Sequence, residues 1–183
     1  MLIKLKQRKF ASKYALERQR AIYRPLKKVI VIHGVLEDDT IEFLKKRRND
    51  DSEIVILEGR PSLRTAKILY QKFKRYGISP TLIADNMAGF LFSKKMVKEV
   101  WLSYQTQEKK GVWADIGALI LAVLGFRHGV VVRSFPSAVK TRRNGNPEDI
   151  FYFQGKRIAP RGIKGFVPLL EWVPRKYITQ IYE

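Results

Sequence analysis

Five short apolar runs, separated by amphipathic stretches of helical length, set the pattern of this chain between residues 28 and 133. Val29-Ile30-Val31-Ile32, ending at His33, is continuous, as expected of a strand buried on both faces. The spacing predicts further strands at Glu53–Leu57, Thr81–Ala84, Glu99–Ser103 and Val130–Arg133. Helices are expected between them at Thr40–Arg48, Leu63–Tyr76, Met87–Phe92 and Ala114–Arg127. Ser62 is a candidate N-cap for the second helix and Gly77 its stop, while Gln105–Gly111 reads as a polar loop. Repeated βα units of this size predict an α/β fold: an open, mostly parallel sheet with helices on both faces.

Both ends depart from that pattern. Residues 7–23 predict a helix whose thin apolar face carries Phe10, Tyr14, Ala21 and Ile22, and Pro25 closes it. After Phe135-Pro136, residues 140–149 combine charge with turn formers and read as an exposed loop. Ile150–Gln154, Lys156–Ile158 and Lys164–Leu170 read as short extended pieces. Tyr177, Ile178 and Ile181 within Pro174–Glu183 suggest a docked helix. The expected organisation is a basic helical arm, residues 1–27, ahead of one α/β domain, residues 28–183.

Composition narrows the chemistry. Cysteine is absent, which excludes a disulfide framework, a zinc–thiolate site and a cysteine nucleophile. The richness in Lys, Arg, Glu, Ile and Val suits a thermophile. The longest strongly apolar stretch, Ile116–Phe126, has 11 residues and two glycines, well short of the ~20 needed to cross a membrane. With no secretory signal pattern, a cytoplasmic protein without a membrane partner is expected. The formal charge is +19, and residues 1–28 hold ten basic residues against Glu17 alone. Arg8, Lys9, Lys13, Arg18, Arg20 and Arg24, interleaved with Phe10 and Tyr14, are candidate contacts to RNA or to an acidic protein. The bland alternative is a solvated, lysine-rich helix face.

The chemistry-bearing residues cluster where strands give way to helices. Glu58-Gly59-Arg60-Pro61 follows the second strand, and Asp85-Asn86-Met87-Ala88-Gly89 follows Leu82-Ile83-Ala84. Side chains at strand C-termini of open α/β sheets sit where such folds bind ligands. Arg60 offers a planar fork suited to phosphate, Asn86 can bind hydroxyls, and Asp85 can orient them. The structural alternative pairs Glu58 with Arg60 and uses Asp85 as a helix cap. Neither His33 nor His128 has metal-ligand partners at a useful spacing, and no Gly-rich nucleotide fingerprint or Walker loop is present. No metal or cofactor is expected.

Taken in order, these blocks resemble a family that joins aldose-1-phosphate isomerases to the regulatory alpha, beta and delta subunits of translation initiation factor two-B. The family's Glu-Thr-Arg-Pro is similar to Glu58–Pro61, and its Leu-Ile-x-Asp-x-Met-Ala-Gly to Leu82–Gly89. Arg157–Lys164 and Glu171–Thr179 resemble two blocks near the family's C-terminus. The resemblance covers about residues 28–183 and implies a Rossmann-like domain, usually paired with a second copy. It also implies a Cys after the first strand, an Asp after the fourth, and an Asn-Lys pair beyond. Those positions hold Gly34, Gln105 and Ala114-Asp115 in this chain. Gly34 offers no proton and Gln105 cannot ionise.

Three readings stand. The first is a non-catalytic binding or regulatory protein that recognises a phosphorylated metabolite through Glu58, Arg60, Asp85, Asn86 and Gln105. The second is an isomerase of altered chemistry, using His33 with Glu58 or Asp85. The third is charge-driven RNA binding through the arm. Phe166, Val167, Leu169, Leu170 and Trp172 form an apolar strip that favours a homodimer.

Overall fold

A computed structural model describes residues 27–47, 52–153 and 155–183. The candidate helix at 7–23, with its RNA-contact residues, lies outside them. Ten strands and four α-helices occupy the described part. The strands are β1 Lys28–His33, β2 Ser52–Leu57, β3 Thr81–Ile83, β4 Val97–Glu108, β5 Gly111–Asp115 and β6 Val131–Pro136. They continue with β7 Tyr152–Phe153, β8 Lys156–Arg157, β9 Leu170–Pro174 and β10 Gln180–Ile181. The helices are α1 Asp38–Arg47, α2 Arg64–Arg75, α3 Ala88–Ser93 and α4 Ala118–His128.

Six strands form a parallel sheet in the order β10-β6-β4-β1-β2-β3. Alternation along β1 explains its continuous apolar run. Val29 and Val31 enter the core shared with α3 and α4, whereas Ile30 and Ile32 enter the core shared with α1 and α2. Val55 and Leu57 on β2 repeat the first choice, Ile54 and Ile56 the second. Helices therefore cover both faces, and the middle of β1 and β2 is apolar on each, with polar residues kept to the strand ends at His33, Ser52 and Glu53.

The α1–α2 side also buries charge. Glu99, on β4, accepts from Arg133 Nε at 3.0 Å, Arg47 Nη2 at 3.1 Å and Trp101 Nε1 at 2.9 Å. Burial raises its pKa, but the three donors outweigh burial and hold it below the usual value.

Four expectations are corrected. Gln105–Gly111 is not a loop: β4 runs on to Glu108, turns, and returns as β5, which pairs antiparallel with β4 and with β9. This hairpin takes residues 111–115, so the helix expected from Ala114 starts at Ala118. The C-terminal helix is also absent, because Pro174–Glu183 holds one 3-10 turn, Arg175–Tyr177, followed by β10, the sixth parallel strand. Finally, Ser62 does not cap α2 in the expected way. Leu63 occupies the cap with φ 56°, while Ser62 Oγ accepts only the Arg64 N–H at 3.3 Å.

Candidate functional site

The strand order reverses between β1 and β4, whose connections leave in opposite directions, so a crevice opens at their C-terminal ends. A cavity of about 590 Å³ occupies it. His33 at the end of β1, with Asp115 and Ile116 at the end of β5, contributes to its lining. Arg60, Ser62, Arg64 and Thr65, from the β2–α2 loop and the first turn of α2, line it too. So do Lys140, Thr141, Arg142, Asn144 and Asn146, which follow β6.

Local bonding explains how these segments hold their shape. Gly59 adopts φ +69°, which favours glycine, and turns the chain sharply after β2. Asp85 then accepts the Gly59 N–H at 2.9 Å and the Arg60 N–H at 2.8 Å, tying this loop to the end of β3. Residues 139–146 are anchored by Gly145 N–H donating to Val167 O at 2.8 Å and Leu169 N–H to Arg143 O at 2.9 Å. Gln105 joins them to the sheet: its Oε1 accepts the Thr141 N–H at 3.2 Å, and its Nε2 lies 3.4 Å from Asp115 Oδ1.

The lining is strongly cationic. Arg60, Arg64, Lys140 and Arg142 face a single carboxylate, Asp115. Among the described residues none of these four cations forms an ion pair. Asp115 is 6% exposed, and burial pushes its pKa up. The Thr141 hydroxyl, the charge on His33, the Gln105 amide and Arg64 pull the other way without cancelling burial. His33 Nε2 lies 2.9 Å from the Ile116 carbonyl. A carbonyl only accepts, so this nitrogen carries the proton and anchors the β5–α4 loop. Glu171 on β9 completes that loop by accepting from Gly117 N at 2.6 Å and Leu119 N at 2.8 Å.

Of the residues expected from the sequence, the cavity brings together Arg60 and His33. Gln105 stands behind it through Asp115 and Thr141. Asp85 is spent on the Gly59 and Arg60 amides; it binds neither its own helix start nor the cavity space. Asn86 is exposed, and neither it nor Glu58 lines the cavity. Glu58 and Arg60 do not pair among the described residues; the Arg60 guanidinium lies 5.2 Å from the Phe153 ring instead. Arg64, Lys140, Arg142 and Asp115 complete the charge pattern. The signal for Lys140 and Arg142 was their place among turn formers just beyond a strand, in a segment read only as an exposed loop.

Gly34 fills a second structural role. It has φ +90°, and a Cβ placed on it would overlap Ser103 Oγ and come within 2.9 Å of Ser103 Cβ. Ser103 is 1% exposed, and its hydroxyl has no hydrogen-bond partner among the described residues. A side chain at Gly34 would therefore need both a strained backbone and a displaced Ser103.

A doubly wound sheet with a cation-lined crevice at its switch point defines the class. Within that class, the chain belongs to the Initiation factor 2 subunit family, which it matches over residues 25–182. It is 32% identical over 136 residues to a methylthioribose-1-phosphate isomerase of Thermus thermophilus, a match covering 68% of this chain and 41% of that enzyme. It is 26% identical over 151 residues to the isomerase of Geobacillus thermodenitrificans, covering 76% and 42%. The chain thus spans about two fifths of these relatives' length. The fold is shared with the delta subunit of translation initiation factor eIF-2B from A. fulgidus, at TM-score 0.71 and 17% identity over 85% of this chain and 52% of that one. It is shared also with 5-methylthioribose 1-phosphate isomerase from Pyrococcus horikoshii, at TM-score 0.67 and 21% identity over 85% and 49%. The family therefore contains both enzymes and initiation-factor subunits.

Proposed function

We propose that this domain is a non-catalytic binding module that holds a phosphorylated small molecule in the cationic cavity. The observation that carries this reading is the combination of four cavity cations that form no ion pair among the described residues with the crowding of Gly34 by Ser103. Arg60 and Arg64 would take phosphate oxygens, and Thr65, Thr141, Asn144 and Asn146 would take sugar hydroxyls. Shifting a carbonyl along a sugar needs two proton carriers in reach of adjacent carbons. Gly34 and Gln105 supply neither, and His33 Nε2 is committed to Ile116. Calorimetric titration with D-ribose 5-phosphate tests the reading. Saturable binding that weakens about tenfold or more in Arg60→Gln is expected, since a charged hydrogen bond contributes about 1.5–3 kcal/mol. No binding by the wild type would refute it.

Asp115 favours a second reading, an isomerase of altered chemistry. It is a buried carboxyl of raised pKa, in the same cavity as His33. Conversion of an aldose 1-phosphate to its ketose by the wild type, lost in Asp115→Asn, would establish that alternative over the first.

For assembly, the apolar strip expected to pair two copies is only partly available: Phe166 is exposed, and Leu169, Leu170 and Trp172 are half-buried. Val167 is buried, and Trp172 packs against Trp113 across the β5–β9 pair. The exposed Met87, Phe90, Ile120 and Val123 on the α3–α4 side support self-association through that face instead. Sedimentation velocity on the wild type and on Ile120→Lys distinguishes dimer from monomer.

A further inference from the structure

Residues 150–170 contain no acidic side chain and four basic ones, Lys156, Arg157, Arg161 and Lys164. The same stretch exposes an unusual share of the domain's large apolar side chains. Phe166 is 80% exposed, Ile163 52%, and Tyr152 and Phe153 43% each. β7 and β8 form a separate two-stranded sheet, pairing Tyr152 with Arg157 and Phe153 with Lys156. An aromatic ring therefore stands beside a cation on each face of the hairpin. Arg157 is occupied locally, 5.0 Å from the Phe151 ring, 3.7 Å from Glu148 and bonded to the Ala159 carbonyl. Lys156, Arg161 and Lys164 have no such partner among the described residues.

The hairpin adjoins a recess. Phe153 touches Arg60, and Arg60, Pro61, Ile150, Phe166 and Val167 line an apolar niche of about 250 Å³. Arg60 and Ile116 belong to both this niche and the main cavity. A flat ring entering the niche would meet Phe166 on its wall and a guanidinium on its rim.

We infer that the 150–166 surface is a docking site for single-stranded nucleic acid, whose bases stack on Phe166, Tyr152 and Phe153 while Lys156, Arg161 and Lys164 meet its phosphates. Exposed aromatics interleaved with free cations suit unpaired bases, because a base within a duplex presents no open face. A second copy is disfavoured as occupant, since it would bring two acid-free, cationic surfaces together. An acidic protein satisfies the charge but leaves the exposed rings without a role. The surface is built from other residues than the basic stretch 1–28 and does not require a metabolite in the cavity.

The test is fluorescence anisotropy of the full chain with labelled U12 RNA, dT12 DNA, a 12-base-pair RNA duplex and polyglutamate. Wild type is expected to prefer either single strand over the duplex and over polyglutamate, and the two single-strand arms tell RNA from DNA. Phe166→Ala, at a position too exposed to hold the fold, should weaken that binding about tenfold. Lys156→Ala with Lys164→Ala should flatten the log–log salt dependence by about 0.7 for each phosphate no longer neutralised. Equal or tighter binding of the duplex or of polyglutamate overturns the inference. So does single-strand binding that none of these substitutions changes, because the binding surface would then lie elsewhere on the chain.

Discussion

Placing cysteine at Gly34 should damage the fold rather than create an enzyme. Two costs follow from the geometry. A side chain at φ +90° pays roughly 1–2 kcal/mol for a left-handed backbone that glycine adopts freely. The new Cβ also falls on the buried Ser103 side chain, and overpacking of this kind costs roughly 1–3 kcal/mol. Gly34→Cys should therefore lose about 2–5 kcal/mol, or about 4–20 °C in Tm for a chain of this size. Urea denaturation followed by circular dichroism measures the loss. Adding Ser103→Gly should recover the packing part and leave the backbone part, which separates the two causes. Wild-type stability in the single variant would refute the claim that Ser103 fills this space. New aldose-phosphate turnover in Gly34→Cys would refute the wider claim that a side chain there damages the fold without creating an enzyme.

Three further outcomes follow from Glu99, Asp115 and Asp85. Glu99→Gln leaves Arg133 buried without its counter-charge and should cost roughly 3–5 kcal/mol by chemical denaturation. Because Glu99's folded pKa is depressed, its contribution in the wild type holds above the unfolded carboxylate value and disappears as pH falls through the folded one. The variant should lose that acid-side slope. Asp115 behaves oppositely: its raised pKa makes the wild type lose stability as pH rises from the unfolded value through the folded one. Asp115→Asn should remove this slope and tighten inorganic phosphate binding, both readable by thermal shift across pH. Asp85→Ala should cost about 2 kcal/mol or more by freeing the Gly59 and Arg60 amides, and should weaken ligand binding indirectly through Arg60.

The parallel core was legible because β1 and β2 are buried on both faces and so carry uninterrupted apolar runs. The β4–β5 hairpin was not. Gln105, Thr106, Gln107 and Glu108 lie beyond the helices, paired on one edge to β5 and half-buried or exposed, so their polarity read as a loop. β10 was missed for a different reason. Two paired residues, Gln180 and Ile181, show no period, while Ile178 and Ile181 packing into one core imitates helical spacing. In the site, Arg60 was legible from its place after a strand. Asp85 carried the same signal but is turned onto backbone amides, a distinction composition does not encode. Lys140 and Arg142 sit among turn formers just beyond β6, which marks a loop, but that the loop returns to the cavity beside Arg64 is set by long-range pairing that no local pattern announces.

The most direct test follows an aldose 1-phosphate by phosphorus NMR as the full chain is added. The account predicts a saturable shift and broadening of the phosphate resonance, weakened in Arg60→Gln, with no ketose phosphate signal at any time. A growing ketose signal, or a resonance that the protein leaves unmoved, would contradict it.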